Sequence, residues 1–121
     1  MGKALTIRVR RDRAYAFVAV AGEVDIATVT RLRESLFELA ANDHALVVDL
    51  DQVSFIDSSG LAALVGVARR AAAHGASLQV VCARPRIRQL FQLTGLDGQV
   101  PLARTLDDAL ESLTAQPAPA S

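Results

Sequence analysis

Cysteine is almost missing from this sequence: Cys82 stands alone, so no disulfide can form within the chain. Histidine is scarce too, and neither His44 nor His74 has a neighbouring cysteine at metal-ligand spacing. Excess charge of either sign is absent, because thirteen Lys and Arg balance thirteen Asp and Glu. Such a chain offers no long-range attraction to a polyanion or an anionic lipid surface, so no direct nucleic-acid partner and no membrane are expected. Long hydrophobic runs are also lacking. The apolar stretches at 14–21 and 61–65 fall far short of the roughly 20 residues needed to span a bilayer, and Met1-Gly2-Lys3 does not open a signal peptide. The expectation is a cytoplasmic protein with no metal and no cofactor.

What is present is enough apolar material for a core. Of 121 residues 51% are apolar and only 21% charged, the profile of one compact domain, expected over 3–115. The tail QPAPAS, 116–121, is too small and polar to pack and is expected to be flexible. Leu5, Ile7 and Val9 alternate with Thr6, Arg8 and Arg10, which predicts an edge strand with one wet face. After the turn RRDR, AYAFVAVA at 14–21 is apolar on both faces, predicting a more central strand that Gly22 ends; the two should form a hairpin.

Asp25 is placed to cap a helix whose Ile26, Val29, Leu32, Leu36 and Ala40 recur at helical spacing. ALVVDL at 45–50 reads as a buried strand. From Ser59 to about His74 runs a second helix, stopped by Gly75, and SLQVVC follows as a strand. Cys82, at the end of that strand, is expected to be a small buried hydrophobe. Pro85 can open a third helix with Ile87, Leu90 and Phe91 inward; QVPL predicts a last short strand, and Thr105 with Asp108 a capping box for a fourth helix. No repeat is visible. The order β-β-α-β-α-β-α-β-α predicts an α/β domain, a mixed β-sheet covered by about four helices.

The stretch VSFIDSSGL at 53–61 breaks from apolar residues into an acid, two hydroxyls and a glycine where strand meets helix. One of Asp57, Ser58 and Ser59 is enough to cap the helix, so at least one hydroxyl is expected to face solvent. A nucleophile elbow requires glycine two residues before the serine, and Ile56 and Asp57 occupy those positions. With no histidine nearby in sequence to act as base, Ser58 reads as a group acted upon and the protein as no enzyme. Leu61, Ala62, Ala63, Leu64 and Val65 make the first turns of this helix apolar nearly all round, either core or a surface for a partner. Arg84, Arg86 and Arg88 gather at the start of the third helix, against the dipole preference, and read as a solvated basic face or an acidic-partner contact.

VDLDQVSFIDSSGLAAL, with GEVD at 22–25 and LFQLTGLD at 90–97, resembles the anti-sigma factor antagonists, single-domain members of the STAS family. The resemblance implies that Ser58 is the phosphoacceptor, with Asp57, Ser59 and Gly60 completing its motif. It also implies that Glu23, Asp25, Leu61 and Ala62 belong to a partner-binding surface, Ala62 standing where glycine is common. The implied partners are an anti-sigma factor Ser/Thr kinase of the histidine-kinase-like ATPase type and a Ser/Thr phosphatase that resets Ser58. The unphosphorylated form would bind the kinase and free a sigma factor, and phosphorylation would reverse this. The alternative within the family is a STAS scaffold subunit of a lipid-transport or other regulatory complex.

Overall fold

A computed structural model describes residues 5–115. The expected tail at 116–121, and residues 3 and 4 of the expected domain, lie outside the described residues. In chain order the elements are β1 (Thr6–Arg11), β2 (Ala16–Val24), α1 (Val29–Asn42), β3 (Ala45–Ile56) and α2 (Ser58–Ala73). Then follow β4 (Ser77–Val81), α3 (Pro85–Leu93), a 3-10 turn (Leu96–Gly98), β5 (Leu102–Ala103) and α4 (Leu106–Ala115). The five strands lie in chain order across one sheet, β1 antiparallel to β2 and all later neighbours parallel. This is the α/β order read from the sequence, with a mixed sheet and four helices.

Strand alternation sorts the core into two layers. Val18 and Val20 of β2, Leu46, Val48 and Leu50 of β3, and Leu78 and Val80 of β4 face α1, α2 and α3, where Leu32, Leu36, Leu64, Val67, Ile87 and Phe91 meet them. On the other face Val47 and Val81 pack against Ala109, Leu106, Leu110 and Leu113 of α4, with Phe17 at the margin. The apolar stripe read for α1 and the inward side chains of α2 thus interlock over one sheet face.

The strands depart from their expected limits. Gly22 does not end β2: the strand runs on to Val24, with Gly22 at φ 108° where the β2–β3 register shifts. A backbone with positive φ accepts glycine without strain, so the residue marks a bulge and not a stop. β3 runs to Ile56, six residues beyond ALVVDL, and so delivers its last residues directly into the helix start. The last strand is Leu102–Ala103, not QVPL, although the Pro101 carbonyl still accepts from the Val80 N–H at 2.9 Å. Val9 is 46% exposed, because the inward face of β1 runs past its cover after Leu5 and Ile7.

The end of α2 and the starts of α3 and α4 follow the sequence closely. Gly75, at φ 72°, closes α2 with the paired bonds Gly75 N–H to Ala72 O at 3.1 Å and Ala76 N–H to Ala71 O at 2.7 Å, a Schellman motif. Pro85 occupies the first turn of α3, and the Thr105 hydroxyl accepts from Asp108 N–H at 3.1 Å. Arg84 and Arg86 are exposed, as a solvated basic face requires, yet Arg84 also donates to the Val53 carbonyl at 2.6 Å and the half-buried Arg88 to the Cys82 carbonyl at 2.9 Å, tying the start of α3 to β3 and the end of β4.

Gly60 fixes how closely α2 approaches the sheet, since a Cβ there would lie 2.6 Å from Ile56 Cγ1 and 2.7 Å from Val24 Cγ1. Gly60→Ala is expected to cost about 1–3 kcal/mol, as for other overpacked sites, read from urea unfolding. Cys82 is fully buried, and desolvation pushes its thiol pKa up. It should therefore react with a disulfide reagent on the order of a hundredfold more slowly in the folded chain than in denaturant.

Candidate functional site

The ends of β2 and β3 lie side by side, Glu23 opposite Phe55 and Val24 opposite Ile56, and the Asp57 N–H donates to the Val24 carbonyl at 3.1 Å. The loops that leave these two strands are therefore neighbours, at the carboxyl edge of the parallel strands where α/β sheets present their sites. One is the turn at 25–28, the other the start of α2. Residues 22–25 and 57–60, far apart in sequence, meet here.

Asp57 is the N-cap of α2. Its Oδ1 accepts from the Gly60 N–H at 3.1 Å and from the Ser59 hydroxyl at 2.5 Å. These bonds lower the pKa of Asp57, the Ser59 hydroxyl contributing most, with backbone N–H groups of Gly60, Ser59 and Ile26 adding to it against a desolvation cost. The carboxylate thus reaches across to the 25–28 turn as well as down its own helix.

The two serines therefore differ. Ser59 is half-buried and engaged with Asp57, whereas Ser58, the first residue of the helix, is exposed and its hydroxyl has no hydrogen-bond partner among the described residues. The spare hydroxyl expected from the sequence is that of Ser58. Its position beside free N–H groups at a helix start suits an anion, since both the orphan donors and the dipole favour negative charge there.

Asp25 does not cap α1 as expected, because that helix begins later, at Val29 with Thr28 as N-cap. It folds its own turn instead: Oδ1 accepts from the Ala27 N–H at 3.0 Å and the Thr28 N–H at 3.1 Å, and the Thr28 hydroxyl accepts from the Asp25 N–H at 3.0 Å. That hydroxyl also donates to the Glu23 carbonyl at 2.9 Å, which holds the half-buried Glu23 next to the turn. Ile26, expected in the core, is lifted out by this turn and is 78% exposed.

Leu61 is 3% exposed and belongs to the core, together with Ala63, Leu64 and Val65, so the apolar start of α2 is mostly interior. Ala62 is exposed beside Ser58. Both line a groove of about 360 Å³ that Ser58, Val65, Gly66 and Arg69 share with the residues after α3. A second groove, of about 430 Å³, opens on the other side of Asp57 between β3 and α3, with Phe55, Arg86, Leu90 and Leu93 in its walls. Phe55 is 48% and Leu93 76% exposed. Neither was singled out from the sequence; Leu93 alone carried a signal, being off the Ile87–Leu90–Phe91 stripe of its helix.

A sheet in this strand order, with a free serine at the head of the helix after its central strand, defines a small α/β domain of the STAS type. The chain belongs to the STAS domain family, whose model matches residues 6–109. Among curated proteins it is 34% identical over 92 residues to the anti-sigma-B factor antagonist of Bacillus subtilis, covering 76% of this chain and 84% of that one. It is also 34% identical over 107 residues to the anti-sigma-F factor antagonist RsfB of Mycobacterium tuberculosis, covering 88% and 87%. The crystal structure of an anti-sigma factor antagonist from Mycobacterium paratuberculosis superimposes with a TM-score of 0.84 at 34% identity, over 92% of this chain and 95% of that one. These relatives carry the names of regulators, in accord with a non-enzymatic chain. Among the described residues no helix is long and apolar enough to cross a membrane.

Removing the cap tests the local architecture: Asp57→Ala should lose about 1 kcal/mol of stability, and Asp57→Asn less, by chemical denaturation. Because the folded-state pKa of Asp57 is depressed, its contribution is complete above the unfolded carboxylate pKa and is lost as pH falls through the lower, folded-state value. The difference between wild type and Asp57→Asn should accordingly shrink towards zero in a denaturation series taken to acid pH.

Proposed function

We propose that the chain is an anti-sigma factor antagonist that works by partner switching, with Ser58 as its phosphoacceptor. In this reading the unphosphorylated protein binds an anti-sigma factor kinase and frees a sigma factor; phosphorylation of Ser58 ends the binding, and a phosphatase restores it. The observation that carries the reading is Ser58 itself, unbonded and exposed at the head of α2, with exposed apolar side chains on the neighbouring loop and groove. Ile26, Phe55 and Leu93 are three of the four large apolar side chains left exposed among the described residues, and all three lie around the start of α2 or on the groove beside it. An exposed apolar rim about a modifiable hydroxyl suits a docking face.

In the transfer step the Ser58 oxygen attacks the γ-phosphorus of ATP held by the kinase. The bond to the leaving ADP breaks, and the hydroxyl proton passes to a base on the kinase. Asp57 is a poor base for this step, because its hydrogen bonds hold its pKa below the ordinary carboxylate value. The phosphoryl group adds about −1.5 to −2 charges beside the Asp57 carboxylate. In the free protein water and the helix-start N–H groups accommodate it. Against an apolar partner face the same charge is desolvated and repelled, so binding weakens while the fold is kept.

Isothermal calorimetry with the cognate kinase is the test. Ser58→Ala should bind as unmodified protein does, with stability changed by less than about 0.5 kcal/mol, as for an exposed side chain without a partner. Phosphorylated protein should bind at least about tenfold more weakly, a difference of about 1.4 kcal/mol. Equal binding of folded modified and unmodified protein would remove Ser58 as the switch and favour the scaffold-subunit reading.

A further inference from the structure

The fourth exposed large apolar side chain is Val9, which lies on β1 and lines neither groove beside Ser58. β1 forms one edge of the sheet and pairs with β2 over six residues without a register shift. All of its residues except Ile7 are exposed. The Asp12 N–H to Tyr15 carbonyl bond of 2.8 Å at the turn sets the antiparallel alternation. Thr6, Arg8 and Arg10 then exchange bonds with β2, and Ile7, Val9 and Arg11 direct their N–H and C=O groups outward, where the described sheet has no strand. The strand contains no proline and no bulge of its own.

Charges usually guard such an edge. Here two of them are drawn aside: the Arg10 guanidinium lies 5.2 Å from the centroid of the Phe17 ring, back across the sheet, and Arg11 reaches Asp43 at 3.4 Å. Arg8 has no such partner among the described residues. It borders two shallow depressions of about 360 and 310 Å³ over Ala19 of β2, where short side chains leave the sheet face uncovered. The edge thus offers free backbone groups and an exposed valine on one face, and arginines on the other.

We propose that the outer edge of β1 accepts an extended acidic segment of another protein as a sixth strand. Its carboxylates would lie beside Arg8, with an apolar side chain beside Val9. Main-chain bonds to Ile7, Val9 and Arg11 supply affinity, and the alternation of acid with apolar supplies specificity. Charge selects this occupant over a second copy of the chain, because pairing two β1 edges would set arginines of like charge against one another. The proposal is independent of the role of Ser58.

The probes are a capped hexapeptide of alternating Glu and Val and its Lys–Val counterpart, titrated into the full chain and followed by amide hydrogen exchange. Saturating acidic peptide should slow exchange at Ile7, Val9 and Arg11 by on the order of tenfold or more, because outward amides gain partners, and leave Thr6, Arg8 and Arg10 little changed. Arg8→Glu should reverse the preference towards the Lys peptide. Val9→Pro, which removes an outward N–H and leaves the β1–β2 ladder intact, should abolish binding. Should Val9→Pro fail to fold, the charge reversal decides alone. The proposal is overturned if millimolar acidic peptide does not bind or if both peptides bind alike. Protection away from β1, or a concentration-dependent dimer that excludes the peptide, would overturn it equally.

Discussion

Only a hydrogen fits at the α-carbon of Gly60, between Val24 at the end of one strand and Ile56 at the end of the next. That contact sets the height of α2 over the sheet and the place of its first turn against the loop after β2. Everything at the candidate site follows from it: the Asp57 carboxylate lies within reach of N–H groups from two loops, and Ser58 falls on the outward side. Leu61, one residue past the glycine, falls on the inward side.

The electrostatics at this point divide labour between adjacent residues. Asp57 caps the helix by accepting from the Gly60 N–H and holds the Ser59 hydroxyl, so Ser58 between them carries no capping bond. An anion attached at Ser58 meets unspent N–H groups of the first turn on one side and a carboxylate on the other. The balance of these two is tolerable in water and unfavourable under an apolar cover, which ties any response to the presence of a partner and not to a rearrangement of the core.

Much of this was legible in the sequence because it is written locally. The Schellman glycine, the proline opening α3, the Thr105 cap and the surplus hydroxyl in Asp57-Ser58-Ser59 all depend on a few consecutive residues. What was not legible depends on layers. Helical spacing put Ile26 on the apolar face of α1, but the turn built by Asp25 and Thr28 delays the helix and turns Ile26 outward. Gly22 looked like a terminator since nothing local distinguishes a bulge from a stop. Leu61 and Leu93 have similar side chains on neighbouring helices, and only the placement of the sheet decides that one is interior and the other on the rim. The arginines of α3 announced a charged patch, yet two of the three reach back to carbonyls of the strands.

The bulged pairing of β2 with β3 has a further consequence. From Ala16 opposite Leu46 to Val24 opposite Ile56, the partner strand spends two more residues than β2. Residues at the two shifts are engaged: Asp51 accepts from the Ala83 N–H at 2.7 Å where the chain leaves β4, and Ser54 donates to the Gly22 carbonyl at 3.2 Å. The period of a strand is two, so loss of one residue here would send every later side chain of β3 to the wrong face, Ile56 outward among them. Over this stretch inheritance can vary the letters but not the count, and a single-codon deletion would be far less forgiving than most substitutions.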